Sequence, residues 1–456
     1  MLNVTSATKI PIARNLLHTN KDSLMSEKRK FQAIKGTRDL LPPETELWNR
    51  VEQTARQVFA NHGFGEIRPP IFEPTELFAR SIGLDTDVVS KEMYTFADRD
   101  ETSVSLRPEA TASVCRAYIE HGMHALPQPV RLFYTGPMFR RERPQKGRYR
   151  QFYQIGAEIL EALQQGQGGS KDIPKDAAID AELLEMLMAF FARLELDGVQ
   201  LEINSIGDRN CRPKYVELLR AELLKVKDQL GPDSQRRIDT NPLRVLDSKL
   251  ESEQAIIATL PRIGDHLCAD CAAHYAELKR QLDLRGVTYK ENWRLVRGLD
   301  YYMRTTFEIT AQGLGSQNAV CGGGRYDGLV ELLGGQPTKG IGFAIGEDRL
   351  ILSLQEAGKA DVPKGRDVYI AWMGAIAQAT AIRFAKVLRE NGFRVEFPPL
   401  EQKFGKALGQ ADKLGSRYAL ILGEDEITSG QWTLKTLADG SQTKFTEPQL
   451  LDFLRG

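Results

Sequence analysis

Two runs that alternate apolar with polar residues, VRLFYTGPMFRRE and RQFYQIGAEIL, stand on either side of a short basic loop. That pairing dictates antiparallel strands joined by a hairpin. The loop, RRERPQKGRYRQF, packs six cationic side chains into eleven residues against one carboxylate, Glu142. Pro144 and Gly147 keep it from being an ordinary helix. The chain as a whole balances 61 Lys+Arg against 61 Asp+Glu, so the charge is concentrated locally. Cations crowded on one tip repel one another, and binding an anion relieves that cost.

The flanking segments extend the pattern. Leu47, Val51, Ala55, Val58 and Phe59 recur at helical spacing from Glu44 to His62, and Gly63 closes that helix. FGEIRPPIFEP reads as a strand whose later part Pro69 and Pro70 confine to a sheet edge or an interface. YTFADRDETSVSLRP reads as further strand. QQGQGGSKDIPKD has the composition of a flexible insertion, DAELLEMLMAFFARL of an apolar helix and VQLEINSIG of a strand. From Cys211 to Gly286 the signals are helical and charge-laced. TTFEIT, a CGGGRYDG turn and GIGFAIGEDRLILSLQ, a strand running into a helix, then resume the sheet.

Beyond the linker-like AGKADVPKGRD the pattern changes. DVYIAWM, AIAQATAIRFAKVLRENG, FRVEFPP, a helix around Ala407 and RYALILG alternate as β-α-β-α-β, which predicts a small domain with a parallel core. The expected fold class is an α+β domain on an antiparallel sheet, with a helical insertion, followed by a C-terminal α/β domain. The expected divisions are a disordered tail over 1–25, the first domain over 26–210 and 287–357, the insertion over 211–286 and the last domain over 367–456. An upstream start codon is the other explanation for the tail, since Met25 precedes the globular pattern.

A chain of 456 residues with 27% charged and 8% aromatic residues has the composition of a soluble globular protein of two or three domains. No apolar run reaches the roughly 20 residues of a membrane span. Five scattered cysteines do not make a disulfide framework and suit a reducing cytosol. Cys268 and Cys271 in CADC have metal or redox spacing, but a zinc site needs a second ligand pair and none follows at a suitable interval. The pair reads as one turn of an amphipathic helix, and no metal ligand is assigned. GIGFAIG misses the dinucleotide fingerprint by one residue, and the chain has no P-loop motif.

Arginines are the stronger candidates. Arg140, Arg297 and Arg349 each stand where strand meets loop or helix, and guanidinium forks suit phosphate oxygens. Each alone is explained as well by an ion pair, Arg297 with Asp300 and Arg349 with Glu347 or Asp348. Their combination with the surrounding motifs decides otherwise. From about Phe31 to the C-terminus the chain resembles the histidyl-tRNA synthetase family of class II aminoacyl-tRNA synthetases. FQAIKGTRDLLP matches the family's opening segment, RPEATA its amino-acid loop, and FRRERPQKGRYRQFYQIGAEIL its motif 2. RGLDYYMRTTFEI and CGGGRYDGL resemble its two histidine signatures, and GIGFAIGEDRL its motif 3. Arg141 departs from the histidine often found there.

The resemblance implies activation of L-histidine with ATP and transfer of the histidyl group to tRNA(His), by a cytoplasmic homodimer that uses Mg2+ with the ATP phosphates. By the same resemblance Arg140, Arg297 and Arg349 are catalytic, and Glu142, Arg148 and Phe152 join Arg140 and Arg349 around ATP. Glu109, Thr111, Gln154, Glu158, Tyr301 and Tyr302 would hold histidine. Gln145, Lys146 and Arg150, with Arg143, would meet the tRNA acceptor stem and its extra 5′ guanosine. The C-terminal domain would contact the anticodon, and the RPPIFEP strand and its preceding helix would form the dimer contact. Two other readings share parts of this pattern. One is a histidine-sensing regulatory subunit of ATP phosphoribosyltransferase, which lacks the C-terminal module and the arginines. The other is a tRNA-binding accessory protein that activates nothing.

Overall fold

The computed structural model describes residues 31–83, 86–163, 170–299, 301–311, 318–361 and 365–455. The tail 1–25, Asp300 and part of the QQGQGGSKDIPKD and AGKADVPKGRD segments therefore lie outside the described residues. Two compact units emerge. One holds the residues up to Leu40 with Ala55–Ser353, the other Leu41–Thr54 with Leu354 onward.

Strands of the first unit are β1 (Gly65–Glu66), β2 (Phe72–Pro74), β3 (Tyr94–Ala97), β4 (Ser103–Leu106), β5 (Val130–Phe139), β6 (Gln151–Ala162), β7 (Gln200–Ser205), β8 (Lys290–Glu291), β9 (Met303–Thr310), β10 (Ala319–Arg325) and β11 (Thr338–Gly346). Eight of them form one sheet in the order β1-β5-β6-β11-β10-β9-β7-β8. Its six central strands are antiparallel, and the two-residue edge strands β1 and β8 are parallel to their neighbours. A separate sheet, β2-β4-β3, stands apart from it.

The two faces of the large sheet differ in side-chain size. One row of paired residues runs Phe133, Ala157, Phe343, Gly323, Phe307. Onto this face pack helices α1 (Glu44–Asn61), through Phe59, and, after α2 (Thr75–Ile82) and α3 (Thr111–Glu120), α4 (Ile173–Arg193), through Phe190. The Phe59 ring lies 5.6–5.8 Å from those of Phe133, Phe190 and Phe343, at the spacing of aromatic pairs in cores. The next rows, on the opposite face, run Tyr134, Gly156, Ala344, Gly322, Glu308 and Leu132, Glu158, Gly342, Gly324, Thr306. This face is nearly bare of large side chains, and the site lies on it.

The helical segment between β7 and β8 contains α5 (Arg212–Lys225), α6 (Pro232–Thr240), α7 (Glu251–Ala258) and α8 (Ala269–Leu284). After β10 come α9 (Leu329–Leu332), then β11 and α10 (Glu347–Glu356). In the second unit, β12 (Val368–Trp372), α11 (Ala375–Glu390), β13 (Val395–Glu396), α12 (Phe404–Lys413) and β14 (Tyr418–Leu422) follow the expected alternation. β12 is parallel to both β13 and β14 and wholly buried, with Ile370 against Phe384 and Leu388 and with Tyr369 and Ala371 against α12.

Several sequence expectations need correction. FGEIRPPIFEP is not one strand, because Pro69 and Pro70 split it into β1 and β2, each at the edge of its sheet. IPKD is the first turn of α4, with Pro174 at a position where a missing N–H costs nothing. CGGGRYDG is no tight turn, because Cys321–Arg325 is a central strand, β10. After α13 (Glu424–Ser429) the second unit adds an unforeseen hairpin, β15 (Trp432–Thr436) and β16 (Gln442–Phe445), then α14 (Glu447–Arg455). Among the described residues no helix is long and apolar enough to cross a membrane.

Candidate active site

GIGFAIG is legible as a strand with two unequal faces. Ile341, Phe343 and Ile345 point to the core, while Gly340, Gly342, Ala344 and Gly346 face the other way. A Cβ at Gly342 would overlap the Glu158 carboxylate, and one at Gly322 would overlap the Arg297 guanidinium. A Cβ at Gly324 would come within 3.0 Å of the Tyr302 ring. These glycines are spaces into which functional side chains fold.

A cleft of about 310 Å³ opens over this face. Arg140, Arg297 and Arg349 all line it, together with Glu142, Arg148, Phe152, Gln154 and Glu308. Arg140 leaves the end of β5, donates from Nε to Pro108 O at 3.0 Å and lies 5.4 Å from the centroid of Phe152. Arg349, in the first turn of α10, donates to Ala319 O at 2.9 Å. Burial and the nearby Arg148 both lower its pKa. Arg297 reaches the cleft from the loop before β9, ion-paired to Glu308 at 3.1 Å. Its Nε is buried with no hydrogen-bond partner. Four guanidiniums against three carboxylates, those of Glu142, Glu308 and Asp348, leave the cleft suited to a polyanion.

Glu158 lies farther along the same face of β6 as Phe152 and Gln154, fully buried. Its carboxyl accepts from Thr111 Oγ1 at 2.7 Å, from the Tyr134 hydroxyl at 3.4 Å and, in a short bond, from the Tyr326 hydroxyl. Burial outweighs these three donors and pushes its pKa up to about 8, with Glu109 adding to the rise. The Tyr301 ring lies 4.6 Å from that of Tyr302 and 5.8 Å from that of Tyr326, and Arg297 lies 5.9 Å from the Tyr302 ring. Gln154 Oε1 is buried and unpaired, an acceptor aimed at nothing in the protein. Glu109 uses both oxygens on the first amides of α3, those of Thr111 and Ala112, at 2.8 and 3.0 Å. Its observed work is to cap that helix.

Sequence reasoning missed Tyr326, which belongs to CGGGRYDG and closes the Glu158 pocket. It also missed Asp180 on α4, which takes the buried Arg325 guanidinium at 2.5 Å and the Thr305 hydroxyl at 2.6 Å and so ties β9 and β10 to α4. Asp208 and Cys211 were passed over because the ligand pair sought for CADC was one that follows it, whereas they precede it.

The basic loop is less uniform than its composition suggests. Gln145 and Arg148 close a tight turn by mutual backbone hydrogen bonds of 3.1 and 2.9 Å, with Gly147 at φ 73°. A Cβ at Gly147 would meet Leu352 at 3.1 Å, so the turn lies down on α10 and brings Arg148 into the cleft. Arg143, Gln145 and Lys146 are exposed. Arg150 is not part of that exposed set. Its stem covers Gly36, its amide donates to Gly36 O at 2.7 Å, and its Nε is buried.

Comparisons with known proteins point to one family. The family model "Histidyl-tRNA synthetase" matches residues 36–350, and "Anticodon binding domain" matches 367–456. The histidine–tRNA ligase of Solibacter usitatus (strain Ellin6076) is 51% identical over 422 residues, covering 92% of this chain and 98% of that one. That of Koribacter versatilis (strain Ellin345) is 50% identical over 431 residues, with 93% and 96% covered. The crystal structure of the apo S. aureus histidyl-tRNA synthetase superimposes with a TM-score of 0.74 at 35% identity, covering 94% of this chain and all of the other. A family model that matches most of the chain, and relatives about half identical over nearly all of it, leave one conclusion: the chain belongs to the histidyl-tRNA synthetase family.

Proposed function

We propose that the chain is a histidine–tRNA ligase, joining L-histidine to ATP and passing the histidyl group to the 3′ end of tRNA(His). The observation that carries this reading is the convergence of Arg140, Arg297 and Arg349, far apart in sequence, on one cleft that shares its sheet face with Glu158. In the first step a carboxylate oxygen of histidine bonds to the α-phosphorus of ATP, and pyrophosphate leaves. Negative charge gathers on the α-phosphate oxygens, so the catalyst's task is positioning and charge stabilisation. Arg140 and Arg297 serve the α-phosphate and the attacking carboxylate, and Arg349 the γ-phosphate side. Glu142 and Arg148 face ATP, with Phe152 against adenine. Glu142 and Glu308 are hard oxygen donors on the cleft wall and would hold the magnesium that accompanies the phosphates, where it offsets their charge.

The imidazole of histidine offers one N–H and one acceptor nitrogen. Glu158 takes the first and the Tyr302 hydroxyl serves the second, while Tyr301 holds Tyr302 in place. Gln154, with its unpaired oxygen, receives the α-ammonium. Thr111 and Glu109 support this pocket by fixing Glu158 and the start of α3.

The exposed Gln145 and Lys146, with Arg143, meet the acceptor stem, and residues 367–456 the anticodon. The enzyme works as a homodimer. Phe72 and Phe96, 55% and 48% exposed, share one face of the β2-β4-β3 sheet with Val104 and Leu106, an apolar surface that a second copy would cover. None of the five cysteines is cross-linked, which suits the cytoplasm. Histidine-dependent ATP–pyrophosphate exchange, followed by charging of tRNA(His), tests the reading. Folded protein that binds histidine without exchange would be a regulatory relative instead.

A further inference from the structure

Both ends of the helical segment meet at a cluster that the histidine and ATP sites do not use. Asp208 and Cys211 lie in the turn after β7, and Cys268 and Cys271 lie 60 residues on, at the start of α8. One ligand atom from each falls within 4.8 Å of all the others. The Cys211 and Cys271 sulfurs are 3.8 Å apart, and Asp208 Oδ1 is 3.6 Å from Cys211 Sγ and 3.8 Å from Cys268 Sγ. A tetrahedral ion with sulfur at about 2.3 Å and oxygen at about 2.0 Å has ligand-to-ligand edges of about 3.5–3.8 Å. A disulfide would require about 2.05 Å. Two D/C-x-x-C pairs on separate chain segments give the closed, sulfur-rich donor set of a structural zinc site.

We propose that Asp208, Cys211, Cys268 and Cys271 hold one structural zinc ion, which clamps both ends of the helical segment against the sheet beside Tyr302. The surroundings are built for concentrated negative charge. Cys211 and Cys268 immediately precede α5 and α8, so both sulfurs sit at the positive ends of helices of 14 and 16 residues. The Asp208 amide points at Cys211 Sγ at 3.4 Å. Arg304, mostly buried, places its guanidinium 3.6 Å from the Asp208 carboxylate and offsets part of the charge left by three thiolates and a carboxylate on a divalent ion. Cys268 is partly exposed and offers the way in, while the other three ligands are buried.

The clamp connects to the active site through the backbone. Arg304 N donates to Gly207 O at 2.7 Å, and Arg212, next to Cys211, donates in a short bond to Tyr302 O. Zinc would therefore fix the turn that carries Tyr302 without touching any substrate.

Zinc measured by mass spectrometry in full-length protein, purified without a metal-affinity step, should reach about one ion per chain. Cobalt exchanged into the site should show thiolate charge-transfer bands and the visible absorption of tetrahedral Co2+. Cys268 stands at the N-cap of α8, where serine is favoured, so Cys268→Ser should preserve the fold. It should lower zinc content about tenfold or more. Cys115→Ser, in the core elsewhere, should leave zinc content unchanged. Metal-free wild-type protein that takes up no zinc on titration would overturn the proposal. So would a Cys211–Cys271 disulfide in the native protein, or full zinc retention by Cys268→Ser.

Discussion

Gly342 stands directly opposite Glu158 in the ladder between β6 and β11, and the Glu158 carboxyl occupies the volume that a side chain at Gly342 would fill. Gly342→Ala should therefore displace Glu158 from Thr111 and Tyr326 while leaving the core face of β11 intact. A displacement of about 1 Å at such a site costs about a hundredfold. Histidine-dependent exchange should fall by at least that factor in protein whose circular dichroism is unchanged, and unchanged exchange would separate Glu158 from histidine recognition.

Glu158 also predicts a pH signature. Folded, it keeps its proton to about pH 8; unfolded, it releases it near 4.5. Between these values the folded state binds more protons, so this residue's contribution to stability declines as pH rises across that window. Glu158→Gln cannot ionise. The melting temperature of this variant relative to the parent should rise from pH 5 to pH 8, and a constant difference would mean that Glu158 is ionised in the folded protein.

Arg297 is expected to act on the developing charge more than on histidine. Arg297→Ala should slow adenylate formation by about 3–4 kcal/mol of barrier, two to three orders of magnitude. Histidine affinity, measured by calorimetry, should change far less. Equal losses in both would place Arg297 in ground-state binding.

The basic loop should divide by exposure. Lys146→Ala should weaken tRNA binding across sequences, lower the salt slope by about one and leave thermal stability alone. Arg150→Ala should instead cost about 1–2 kcal/mol of stability, because its stem packs on Gly36. Gln145→Ala should change the charging ratio of tRNAs with and without the extra 5′ guanosine. A fixed ratio would remove that residue from base reading.

Removing residues 367–456 should spare adenylate formation and depress tRNA charging. Equal loss of both in folded protein would count against an anticodon role for that unit.

Much of this was legible in the sequence, and the failures have physical causes. Alternation and turn residues revealed β5, β6 and the parallel core of the last unit, since period-two patterns survive without tertiary knowledge. The three arginines were recognised by motif; their meeting brings together elements 157 and 52 residues apart along the chain. CGGGRYDG misled because glycine signals a turn when read locally. Here Gly322 and Gly324 are small on behalf of Arg297 and Tyr302, residues of the loop before β9. Tyr326 escaped for the same reason, its partner Glu158 being 168 positions away. Arg150 looked like its exposed neighbours because charge says nothing about what a stem rests on.

The bare face of the sheet has a further consequence for how this enzyme can change. Glycine within a strand is thermodynamically unfavourable, so Gly322, Gly324 and Gly342 place a standing deficit of stability on this face. Selection for heat resistance cannot fill that deficit with methyl groups, since one at any of the three would overlap Glu158, Arg297 or a neighbouring carbonyl. Here alanine scanning runs backwards, for at these positions the mutation adds matter, and the catalytic inventory includes atoms the chain does without.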